Sequence, residues 1–120
     1  MSKKTLILGA SANPERYSHQ AAIKLGNYGH EIYCFGKQKG FIEKFKINNE
    51  LPNSKDFDTV TLYLNPSHQK PFYNFIIDLK PKRVIFNPGT ENREFEDLLA
   101  KNNIFFEEAC TLVLLSIGKY

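Results

Sequence analysis

Gly9, Ala10 and Ser11 stand between an apolar run, Thr5 to Leu8, and an amphipathic stretch that opens after Asn13-Pro14. Small residues at a strand-to-helix turn let backbone N–H groups and the positive end of the helix approach an anion. The chemistry this segment offers is therefore phosphate binding. A dinucleotide fingerprint spaces three glycines through such a turn. Here Gly9 is followed by Ala-Ser-Ala-Asn-Pro, so an ordinary strand-to-helix connection is the competing reading.

A second candidate lies after the run Glu31 to Phe35, where the chain continues Gly36-Lys37-Gln38-Lys39. An NAD site usually has Asp or Glu here to bond the ribose 2′-hydroxyl, whereas a lysine fits a ribose phosphate. NADP carries that phosphate on the 2′ oxygen and coenzyme A on the 3′ oxygen, so the lysines leave both open. Solvated loop charges are the plainer alternative.

Asn13-Pro14, Asn65-Pro66 and Asn87-Pro88-Gly89-Thr90 each follow a strand-like run. Asn-Pro starts turns, and such turns at successive strand ends would rim one crevice with small polar side chains. Cys110 falls just past the last expected strand, at a helix start where the dipole favours a thiolate; a packed, inert thiol is the alternative. Cys34 lies inside a strand and reads as packing. His19, His30 and His68 sit at helix ends and read as surface or capping residues. Ser11 and Ser18 have no recognisable base partner, and no metal-ligand cluster is evident. No catalytic residue is assigned.

The elements that must position these residues alternate. Strands are expected at Thr5 to Leu8, Glu31 to Phe35, Thr59 to Leu64, Arg83 to Phe86 and Ile104 to Glu107. Helices are expected at Ser18 to Tyr28, Pro66 to Leu79, Glu94 to Lys101 and Thr111 to Ile117. Gly36 to Asn53 is irregular, with room for a short strand around Phe45 to Ile47. This alternation implies βαβ units and a Rossmann-like, three-layer α/β domain with a parallel sheet of about five strands. Ligands in such folds sit at the carboxyl ends of the strands. The loops of interest are then Gly9 to Tyr17, Gly36 to Gly40, Asn65 to His68, Asn87 to Asn92 and Glu108 to Cys110.

At 120 residues the chain is expected to form one domain. Its net charge of +3, without a long basic run, suits a small anionic ligand better than nucleic acid. Most of the ten Phe and six Tyr fall within apolar patterns, so they need no base-stacking role. No stretch reads as a signal peptide or a membrane span. Two widely separated cysteines point to a reducing cytoplasm. The end of the first strand brings no acidic cluster, which disfavours a phosphoacceptor receiver domain of similar layout.

Taken together, Gly9-Ala10-Ser11-Ala12-Asn13-Pro14-Glu15-Arg16-Tyr17-Ser18, Asn65-Pro66-Ser67, Asn87-Pro88-Gly89-Thr90 and Glu108-Ala109-Cys110-Thr111-Leu112-Val113 resemble the small stand-alone bacterial CoA-binding proteins. These are similar to the nucleotide-binding N-terminal domain of the succinyl-CoA synthetase α subunit. The resemblance implies that Gly9 to Asn13 hold phosphates, Lys37 lies by the nucleotide, and Asn65-Pro66 flank the adenine end. Phe35-Gly36-Lys37 replaces the more usual Asn-Pro-Lys. The phosphorylated histidine of that synthetase belongs to a later domain, so none of the histidines here inherits its role. The expected function is binding of coenzyme A or an acyl-CoA without evident catalysis, with a small NADP-linked oxidoreductase or nucleotide sensor as the alternative. The expected contacts are Gly9, Ala10, Ser11, Asn13, Arg16, Tyr17, Lys37, Asn65, Pro66, Ser67, Pro88, Gly89 and Cys110.

Overall fold

The apolar run Thr5–Leu8 forms β1, and all four of its residues are buried. Such uniform burial requires strands on both edges and helices on both faces. A computed structural model describes residues 2–120 and supplies them. The elements that follow are α1 (Tyr17–Asn27), β2 (Ile32–Phe35), β3 (Gly40–Ile42), β4 (Phe45–Asn48) and β5 (Thr59–Leu62). Then come α2 (Tyr73–Leu79), β6 (Arg83–Phe86), α3 (Arg93–Lys101), β7 (Phe106–Glu108) and α4 (Thr111–Ser116).

The strands form one sheet in the order β3-β4-β2-β1-β5-β6-β7, parallel except for the β3–β4 pair. The Rossmann-like, three-layer α/β architecture is thus present, but the sheet has seven strands rather than about five. The difference is the hairpin β3–β4 in the stretch read as irregular, where β4 falls on the short strand for which there was room around Phe45 to Ile47 and β3 is additional. The tight turn of the hairpin places Glu43 at φ 52°, a left-handed position for which Gly or Asn is the usual signal.

A second correction concerns Pro66 to Leu79, expected as one helix. Two 3₁₀ turns, Pro66–His68 and Lys70–Phe72, precede the short α2. Pro71 explains the break, because its ring lacks an N–H and crowds the preceding turn.

Side-chain alternation along the strands divides the core. Leu6 and Leu8 join Val60, Leu62, Val84 and Phe86 beneath α2 and α3. Ile7 joins Cys34 and Ile47 beneath α1 and α4. Phe95 of α3 stacks on Tyr73 of α2 at 4.3 Å and meets Phe86 edge-on at 5.8 Å, the offset and perpendicular geometries aromatic rings favour. Burial pushes the Cys34 thiol up to about 12, leaving it protonated and inert. After β1 the chain builds the sheet outward through β2, then crosses back to place β5 on the other side of β1. The reversal puts a crevice at the carboxyl ends of β1 and β5, bordered by Gly9 and Tyr63.

Candidate functional site

The turn after β1 is shaped by its own hydrogen bonds. The Gly9 and Ala10 N–H groups both donate to the Phe35 carbonyl, at 3.0 and 2.8 Å. They are therefore unavailable to a ligand, contrary to the expected role of the first two residues of the turn. Gly9 has φ +101°, and a Cβ there would lie 2.8 Å from the Tyr63 carbonyl oxygen. Its smallness serves the close packing of the β1 and β5 ends rather than a phosphate cradle. Gly36 is similarly constrained, since a Cβ would overlap the Ala10 carbonyl oxygen. Its N–H also donates to Asn48 at 2.9 Å, a bond that proline at this position would forfeit.

The open donors lie further along. Ser11 Oγ accepts from the Asn13 N–H at 3.1 Å, and Asn13 Oδ1 accepts from the Glu15 N–H at 3.0 Å. His19 Nδ1 lies 2.9 Å from the Ser11 carbonyl and ties the loop to α1. Among the described residues, the N–H groups of Ser11, Ala12, Tyr17 and Ser18 have no acceptor. Arg16 occupies the N-cap position of α1 with an extended backbone and no side-chain capping bond, and no acid follows in the first turn. The loop and the helix thus present N–H groups and a positive dipole end without an internal counter-charge.

These groups open into a cleft of about 750 Å³, within the usual range for small-molecule sites. Arg16, Lys37 and Lys39 line it, and no Asp or Glu does. None of these three cations forms an ion pair among the described residues. Tyr17, 70% exposed, offers an aromatic face at the rim. Tyr63 and Leu64 form the wall beyond β5, with burial pushing the Tyr63 phenol upward so that it stays neutral.

Buried amides hold the opposite rim. Asn87 Nδ2 donates to Thr61 Oγ1 at 2.6 Å and to the Leu62 carbonyl at 2.8 Å, while its Oδ1 accepts from the Thr111 N–H at 2.9 Å. Gln69 Nε2 donates to the carbonyls of Leu64 and Thr90, and its Oε1 accepts from Asn92. Asn92 also donates to Tyr73 and caps α3 by accepting from the Phe95 N–H. This network fixes the segment Pro88-Gly89-Thr90 against the end of β5, with every amide group satisfied inside the protein.

The structure brings Gly9, Ala10, Ser11, Asn13, Arg16, Tyr17, Lys37, Asn65, Pro88 and Gly89 together around the cleft. Pro66, Ser67 and Cys110 do not line it. Asn65 Oδ1 accepts from the Ser67 N–H and hydroxyl, which directs Pro66 and Ser67 into the 3₁₀ turn. Cys110 is the N-cap of the six-residue α4, with its backbone extended and its carbonyl bonded to Leu114. Asn87 lies beneath the rim, so the third Asn-Pro turn meets the cleft through Pro88, Gly89 and Thr90 rather than through its asparagine. Ala12, Gln38, His68 and Thr90 also line the cleft from the loops singled out in the sequence, whereas Ser18, Tyr63 and Leu64 were missed. Their place after β1 and β5 was the available signal. Gln69 and Asn92 carried no such signal, because their roles depend on contacts distant in sequence.

Among the described residues, no group of three or more His, Cys, Asp or Glu could hold a metal, and no helix is long and apolar enough to cross a membrane. A family model described as CoA binding domain matches residues 3–116. Among solved structures, one described as an uncharacterized protein is 51% identical, with a TM-score of 0.96, covering 100% of this chain and 99% of the other. A Thermus thermophilus protein, cell-free ID.343, shares the fold at 21% identity and a TM-score of 0.85, covering 99% and 91%. A hypothetical protein from Pyrococcus horikoshii OT3 does so at 22% and 0.81, covering 93% and 80%. No curated protein matches the sequence. With its family model spanning nearly the whole sequence, this chain belongs to the CoA binding domain family.

Proposed function

We propose that this protein binds coenzyme A or an acyl-CoA in the cleft at the carboxyl ends of β1 and β5, without turning it over. The observation that carries the reading is the pairing of open N–H groups at the start of α1 with unpaired Arg16, Lys37 and Lys39 in a cleft lined by no acid. Coenzyme A is an anion at both its diphosphate and its 3′-phosphate, and this site offers donors and positive charge for each. On this reading the Ser11, Ala12, Tyr17 and Ser18 amides and Arg16 hold the diphosphate, and Lys37 meets the 3′-phosphate. Binding without turnover is supported by the pairing of the lining groups: Ser11, Ser18 and His68 line the cleft, but among the described residues neither serine hydroxyl is hydrogen-bonded to a histidine that could activate it. Two free cysteines suit a reducing cytoplasm as the site of action.

Thermal-shift measurements with CoA, acetyl-CoA, dephospho-CoA, NAD, NADP and ATP test this directly. CoA or acetyl-CoA at about 100 times its dissociation constant should stabilise the protein by about 2.7 kcal/mol. Stabilisation by NADP with none by CoA would favour the oxidoreductase or sensor reading. Steady release of free CoA from acetyl-CoA by catalytic amounts of protein would refute binding without turnover.

A further inference from the structure

Glu96 lies in the first turn of α3 with only 7% of its surface exposed. Its Oε2 is enclosed, with no hydrogen-bond partner among the described residues. The group facing it across the α3–β7 contact is another carboxyl, that of Glu108 at the end of the edge strand. Two carboxylates offer each other only acceptors, whereas one added proton makes a donor and an acceptor.

The surrounding charges do not resolve the conflict. Arg93, on the same helix, is exposed and pairs with Asp97 at 3.4 Å. Arg83 pairs instead with Glu107, the strand neighbour of Glu108, at 3.4 Å. Among the described residues, no cation forms an ion pair with Glu96 or Glu108. Strand β7 has a sheet partner on one side alone, β6, and α3 packs against it as well.

We propose that Glu96 and Glu108 hold one proton between them and that its release loosens β7 from α3, a pH-sensitive clasp at the edge of the sheet. Burial and the Glu108 carboxyl push Glu96 up to about 7, while the Asn92 backbone and Arg93 favour its charged form without prevailing. The direction follows from linkage. Between the ordinary value of 4.5 and about 7 the folded state holds a proton that the unfolded state has released, so this contribution to stability falls as pH rises through that window. His30 works the other way: burial holds it below 6.5, so its contribution rises with pH and must be separated by mutation.

The experiment compares the free wild-type protein with Glu96→Gln and Glu108→Gln. Side-chain carboxyl carbons are followed by NMR from pH 4.5 to 8.5, and thermal unfolding is recorded over the same range. The expected result is a wild-type glutamate titrating near neutrality that vanishes in Glu96→Gln and shifts downward in Glu108→Gln. Glu96→Gln should gain several degrees in Tm relative to wild type between pH 5 and 7.5, and β7 amides should exchange faster in wild type at the upper end. Glu108→Gln changes an exposed residue and keeps the test valid if Glu96→Gln folds poorly. A carboxyl that titrates near 4.5 in every form, or parallel Tm profiles, would overturn the proposal. So would saturable stabilisation by magnesium or calcium at neutral pH that Glu96→Gln abolishes, since the pair would then be a cation site.

Discussion

Helices α1 and α3 both begin at the carboxyl end of a strand, yet their first turns are finished in opposite ways. At α3, Asn92 caps the helix and Glu94 adds an acidic side chain to the first turn. The protein itself satisfies the donors and the positive dipole there. At α1 the cap position is Arg16, no acid follows, and the Tyr17 and Ser18 N–H groups remain open. The difference separates a helix start built for stability from one left incomplete for an anion. The helix dipole alone does not distinguish them; the neighbouring side chains do.

The largest effect should come from closing the space that sets the open end. Gly9→Ala places a Cβ against the Tyr63 backbone at positive φ and should cost about 3 kcal/mol in denaturant unfolding, together with loss of CoA binding. Removing the α3 cap with Asn92→Ala should cost about 2 kcal/mol, because the Phe95, Gln69 and Tyr73 partners all lose a bond. CoA bound to the folded fraction should keep its affinity within about threefold if this end is structural, a difference of about 0.6 kcal/mol by calorimetry.

Lys37→Glu sharpens the comparison from the ligand side. It should weaken CoA about tenfold more than dephospho-CoA, which lacks the 3′-phosphate. Equal losses would return the lysine to a solvated charge. The smallest effect on the free protein, and the most diagnostic sign, belongs to Arg16→Asp. Giving α1 an acidic cap like that of a structural helix should raise stability by about 0.5–1 kcal/mol while lowering CoA affinity. A rise in both would show that the α1 start is not the anion site.

The β1–loop–α1 unit was legible because a short apolar run, a glycine and an amphipathic stretch are local signals. The parallel core and its layers followed from the same periodicity. Of the β3–β4 hairpin, β4 was legible as a short strand around Phe45 to Ile47, while the three-residue β3 and the pairing were hidden because Glu43 takes a turn position usually marked by Gly or Asn. Pro71 is a visible break inside Pro66 to Leu79, the stretch expected as one helix. At the site, the side-chain types around the cleft were legible, but the fate of individual N–H groups was not. The Gly9 and Ala10 donors are taken by Phe35 because β1 and β2 pair in parallel with Leu8 beside Phe35, a register that local sequence does not encode. Gln69 and Asn92 were missed for the same reason, since their partners lie up to 23 residues away.

Calorimetric titration of the wild-type protein with CoA and with NADP, in one buffer at low and at moderate salt, tests the central claim most directly. The open α1 start and the unpaired cations should give one CoA bound per chain, with affinity falling as salt rises and NADP bound more weakly or not at all. NADP binding tighter than CoA, or no heat from CoA at any salt concentration, would contradict the assignment of this cleft to coenzyme A.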